Sequence, residues 1–283
     1  GANVVSNKSF IGTSGAGESS VEVDGADWTS VLGLNVGDLG RGTLTIRGGG
    51  QVHTLDGKIG YFEGGDGSVL VTGANSLLAH DATLFVGGTG AAAGDAGVLR
   101  IEDGGTVTSA GETRVLATGT VRVTDGILEA NTVALEYGAA VDVNSPGLLR
   151  TNALTGDWDH LAWLGRLEIG LGNRPGVLAV GADQTLEALA GLSIGHAGDA
   201  NLSVADGGHL RTGTAWLSEM SGASVIAEVV GAGSRWTVEG NLAIGGTGGN
   251  GGGPAELTVG EGADANVTGD VHLWTTGWLH LAG

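Results

Sequence analysis

The outline GAGSRWTVEGNLAIG at residues 231–245 constrains this chain more than any other feature, because it returns elsewhere. It recurs as GANSLLAHDATLFVG at 73–87, as GADQTLEALAGLSIG at 181–195 and, shortened, as GADWTSVLGLNVG at 25–37. Each copy opens on Gly-Ala and closes on Leu-x-Val/Ile-Gly, the two-residue alternation of a strand that buries one face. The residue closing a related apolar strand can be followed along the chain at Val23, Ile46, Val71, Ile101, Val123, Val143, Val180, Val204, Val229, Val259 and Leu281. Successive intervals, taken by subtraction, are 23, 25, 30, 22, 20, 37, 24, 25, 30 and 22 residues. Short strands and Gly-rich turns at such a period mark a solenoid. Moving Val71 to Val123 forward by 158 positions lays it on Val229 to Leu281 with 15 of 53 residues identical and no insertion, which is a duplication.

One coil cannot bury its apolar face alone, but stacked coils place equivalent Val, Leu and Ile side chains in ladders and pair each backbone N–H with the next coil. The predicted fold is therefore all-β, a parallel β-helix of ten to eleven coils of 20–30 residues. Right-handed crossovers are the expected hand, and eleven rungs at about 4.8 Å give a rod of about 50 Å. The predicted organisation is one β-helix domain over 1–283, with duplicated halves 20–123 and 177–281 and an irregular segment 144–176. The pairs Gly48-Gly49, Gly104-Gly105 and Gly207-Gly208 follow ladder strands and read as corners. Trp28 and Trp236 fall where other copies carry Leu, so they read as packing residues, and Trp216 and Trp274 are read the same way.

Composition narrows the function classes. With 58 Gly in 283 residues, long helices are disfavoured, while 41% hydrophobic residues argue for a folded chain. The 31 acids against 12 bases leave a net charge of −19, which opposes binding to nucleic acid or to an anionic membrane. There is no cysteine, hence no disulfide or thiolate metal site. No apolar run reaches the ~20 residues of a membrane helix, so this segment is not expected to insert directly into a bilayer. Gly1-Ala2 does not begin a signal peptide, so the chain reads as a mature or excised segment.

The long interval from Val143 to Val180 breaks the pattern and holds a polar-aromatic cluster, Asp157, Trp158, Asp159, His160 and Trp163. It reads as a coil with an extended loop or distorted turn; these five residues are the candidate ligand-binding site, and a structural stutter is the alternative. On a strand, Asp157 and Asp159 would share a face about 6–7 Å apart, a spacing compatible with acid/base work on a glycosidic bond. Trp158 and Trp163 offer rings for stacking on sugar or for covering core.

The outline GAGSxWTVxGxLxIGGTGxG at 231–248, followed by xLTVGEGAxxxVTG at 256–269, resembles the Gly-rich β-helix repeats of autotransporter (type V secretion) passenger domains. The resemblance spans roughly 20–140 and 167–283. It implies export across the outer membrane by a C-terminal β-barrel, secretion or display at the bacterial cell surface, and adhesion or self-association. No barrel-like strand pattern follows Gly283, so the translocator is expected to be cut away or absent.

Other chemistry is weakly supported. The run beginning Gly64-Gly65-Asp66-Gly67 departs from the Ca²⁺ nonapeptide because Val69 holds the Asp position. The glycine-rich run 246–254 lacks the Lys and helix of a phosphate loop. The seven His show no pairing at i+2 or i+4, and no Gly-x-Ser-x-Gly elbow exists. The expectation is a non-enzymatic adhesin or self-associating rod with no cofactor, metal or catalytic residue. Its partners would be host or bacterial cell-surface molecules, glycan or protein, or a second copy. The alternatives are a polysaccharide lyase or hydrolase centred on Asp157, Asp159 and His160, and a passive stalk.

Overall fold

Every regular element among the described residues is a β-strand, and strands pair in parallel with the equivalent strand one coil away. The computed structural model describes residues 1–13, 17–88, 94–172, 174–247 and 249–282. Gly248, part of the run weighed as a phosphate loop, and Gly283 lie outside them. The chain divides into two compact units, Gly1–Leu148 and Leu149–Gly283, and the boundary falls inside the 144–176 interval. No helix among the described residues is long and apolar enough to cross a membrane.

In the first unit, each coil runs through three faces. One is the sheet of Glu18–Asp24, Arg41–Arg47, Gly67–Thr72, Gly97–Glu102, Gly119–Thr124 and Ala140–Asn144. The others are formed by pairs such as Gln51–Thr54 with Gly57–Ile59, or by one bent strand such as Thr106–Val115, whose register shifts between Ser109 and Glu112. The second unit has the same three-strand coil. His160–Trp163 stacks beneath Thr185–Ala188, Arg166–Ile169 beneath Gly191–Ile194, and Gly176–Val180 beneath Ala200–Val204.

The marked ladder is real in nine of its ten steps. Val23 pairs with Ile46, then Val71, Ile101, Val123 and Val143; Val180 pairs with Val204, Val229, Val259 and Leu281. From Val23 to Val229 each is buried, and full burial of a Val or Ile stabilises by about 1.5–3 kcal/mol. The missing step is the 37-residue interval. It is no extended loop: Leu148–Gly156, His160–Trp163 and Arg166–Ile169 are strands, and Ala153 and Leu154 pair with Val177 and Leu178 of the next marked strand.

The duplication extends to single hydrogen bonds. Ser76 Oγ accepts from the Gly49 N–H at 3.1 Å, and Ser234 Oγ accepts from the Gly207 N–H at 3.0 Å. At two of the three double-glycine corners the two residues do different things, whereas Gly48 and Gly49 both take positive φ. Gly104 and Gly207 take φ of 84° and 85°, where L side chains are strained. A Cβ on Gly105 or Gly208 would stand 2.4 Å from Val71 O or 2.2 Å from Val180 O, the ladder residue one coil earlier.

Candidate functional site

The polar-aromatic cluster read from the sequence does not assemble as one surface. Asp157 and Asp159 are exposed but lie between the strands Leu148–Gly156 and His160–Trp163, so the shared strand face expected for their carboxylates is absent. His160 is exposed, with Nε2 3.7 Å from Glu187 Oε1. Trp158 and Trp163 are 7% and 1% exposed. Trp163 therefore covers core and presents no ring face to a ligand. The reading of Trp236 as packing agrees with its place in the ladder Leu186, Leu210, Trp236, fully buried, its Nε1–H donating to Thr212 Oγ1 at 3.2 Å. Trp216 departs from that reading: it points outward from Ala215–Leu217, between Ser193 and Ala243.

Trp216 belongs to a cluster in the second unit that the sequence search missed. In Arg166–Ile169, Leu167 and Ile169 fill the core and Glu168 faces out, yet Glu168 is only 2% exposed. Arg150 Nε donates to Glu168 Oε2 at 2.6 Å, and Arg166 Nε stands 3.1 Å from Glu168 Oε1. Arg166 Nη2 donates to Glu219 Oε2 at 2.8 Å while its guanidinium lies 4.7 Å over the Trp216 ring. Glu219 also accepts from Ser193 Oγ at 2.7 Å and meets His196 Nδ1 at 2.9 Å; His196 Nε2 is 3.5 Å from Glu168 Oε2. Partial burial raises the Glu219 carboxyl, but the His196 and Ser193 hydrogen bonds and the Arg166 charge outweigh it and hold it down at about 2.

Glu168, His196 and Glu219 bring ligand atoms within 4.8 Å of one another. Both carboxylates already accept from guanidinium groups, so a cation there would face the charges of Arg150 and Arg166. Ser193 is fully buried and its hydroxyl is spent on Glu219, which leaves it no path as a nucleophile. What the arrangement does is tie successive coils across their outer face. Its members are one coil apart, 168 to 193 being 25 residues and 196 to 219 being 23. A search at ±20–30 would have found them; one at i+2 and i+4 could not.

A second outward surface lies in the first unit. The register places Phe10, Asn35, Lys58, Phe85 and Arg114 in one outward ladder. Tyr61 and Phe62 follow Lys58 at the corner, ring centroids 3.9 Å apart. Lys58 Nζ sits 4.3 Å over Tyr61 and Lys8 Nζ 5.0 Å over Phe10. Phe10 and Phe62 are 46% and 42% exposed. All three Phe and both Lys of the chain are thus on this face.

No family model matches the chain, and no curated protein matches it. A crystal structure of a TibC-catalysed hyper-glycosylated TibA fragment, residues 55–350, aligns over 99% of this chain and 100% of that one. The identity is 18% and the TM-score 0.32, values at which the likeness carries no argument about function.

Proposed function

We propose that this protein is a binding solenoid of the autotransporter-passenger kind, exported to the bacterial surface and adhering to cell-surface molecules through an outward face of its coils. The observation that carries this reading is the segregation of rare side chains. Inward ladder positions repeat Val, Leu and Ile, as a core requires, whereas one outward ladder of the first unit gathers Phe10, Lys58 and Phe85 beside Lys8, Tyr61 and Phe62. Exposed aromatic rings on a sheet face add nothing to the core and are suited to a partner. The alternative of a carbohydrate-active enzyme loses support because its two carboxylates are not on one strand and its Trp neighbours are buried.

The test is adherence. Beads coated with the purified chain should bind bacterial or host cells, and Phe10→Ser with Phe62→Ser should abolish binding without changing the melting temperature. Undiminished adherence in that variant would remove this face from the account. Hydrolysis of a polysaccharide lost in Asp157→Asn would replace the proposal with the enzyme.

A further inference from the structure

The chain carries 31 carboxylates, and its arginines are largely drawn into ion pairs, among them Arg41 with Asp66, Arg47 with Glu22, Arg122 with Asp142 and Arg235 with Asp264. Against that background the two lysines differ. Among the described residues neither Lys8 nor Lys58 has a carboxylate within ion-pair distance, and each instead lies over an aromatic ring. A cation held on a ring face is kept in place without being neutralised. Lys8 also runs over Gly33, its Cε 3.9 Å from where a Cβ on Gly33 would stand, towards the rung that separates it from Lys58. That separation is two rungs and two residues along the strand, about 12 Å between the two Cα positions. Phe85 is on the next rung from Lys58, and the Phe62 ring packs on Tyr61, the ring that Lys58 covers.

Resting on the adhesive reading above, we propose that this face of the first unit takes an acidic sugar, a single carboxylate-bearing pyranose at the end of an otherwise neutral glycan. The two ammonium groups receive the carboxylate, and the rings of Phe62 and Phe85 receive the apolar face of the sugar. A sheet face offers no backbone edge, so the partner is read by side chains alone. The field of a chain at −19 decides between anionic partners. Two isolated cations match one or two negative charges, whereas a polyanion, or a second copy that brings its own −19, meets long-range repulsion that the pair cannot offset.

The experiment titrates the full chain with methyl glucuronide, methyl glucoside and polyglucuronate, followed by NMR or calorimetry at low and high salt. Methyl glucuronide should bind at least about tenfold more tightly than methyl glucoside, a difference of about 1.4 kcal/mol. That preference should vanish in Lys8→Gln with Lys58→Gln and weaken with salt. Phe85→Leu, which keeps the bulk, should weaken both sugars. Equal binding of the two monosaccharides, binding of neither, or tighter binding of polyglucuronate per sugar overturns the proposal. So does a sedimentation result in which the lysine variant loses self-association, which would make a second copy the occupant. Adherence that depends on Phe10 and Phe62 but ignores glucuronide would leave the adhesive reading standing and remove only the sugar.

Discussion

The His80 ring lies against Gly57 so closely that a Cβ there would stand 2.1 Å from His80 Cε1. The ring occupies a corner ladder whose other members are Ser30, Thr54 and Ser109. Those hydroxyls close the corner by donating to backbone carbonyls of Gly33, Asp56 and Ala82. Neither ring nitrogen of His80 has a hydrogen-bond partner among the described residues. Gly57→Ala should therefore destabilise by about 2 kcal/mol or more, since overpacking a core typically costs 1–3 kcal/mol. Gly57→Ala with His80→Ser should recover most of that loss, a non-additivity that denaturant melts of the four proteins would measure.

Acid should weaken the first unit through the same residue. Burial pushes the His80 imidazole down to about 3, while an unfolded His titrates near 6.5. The unfolded chain then binds a proton that the folded one refuses, so stability is full above about pH 6.5 and falls as the pH drops towards 3. The loss is on the order of a few kcal/mol. His80→Ser should flatten stability against pH in that window.

In the second unit the acid response has another origin and a lower window. Glu219 is held down at about 2, so its contribution is present above the usual carboxylate range near 4.3 and is lost as the pH falls from there through 2. Glu219→Gln should remove that limb while leaving the His80 limb intact, which circular dichroism along an acid titration would separate.

Glu168→Gln removes the buried carboxylate that Arg150 and Arg166 share, while Arg166 keeps its pair with Glu219. Breaking one side of a buried pair typically costs 3–5 kcal/mol. The variant should melt well below the parent, and Arg150→Met with Glu168→Met should recover part of the difference. A melt unchanged in Glu168→Gln would show that the cluster does not tie the coils.

The ladder was legible in the sequence because period and burial are the same fact: a residue whose side chain faces inward in every coil has to be Val, Ile or Leu in every coil. The interval from Val143 to Val180 was not, because Trp158 lies between its strands and the strand His160–Trp163 closes on Trp163 where the following coils have Ala188, Thr212 and Val238. Asp157, Asp159 and His160 drew attention as neighbours in sequence, yet chemistry in a solenoid gathers across coils. Glu168, Ser193 and Glu219 are unremarkable in their own segments and meet only because stacking aligns them. Phe10, Lys58 and Phe85 escaped notice for the same reason.

The most direct test of the account is adherence of the chain to cells, compared between Lys8→Gln with Lys58→Gln and Asp157→Asn with Asp159→Asn. The lysine variant should lose adherence while the aspartate variant keeps it. Adherence retained by the lysine variant and lost by the aspartate variant would contradict it and return the site to the interval between Val143 and Val180.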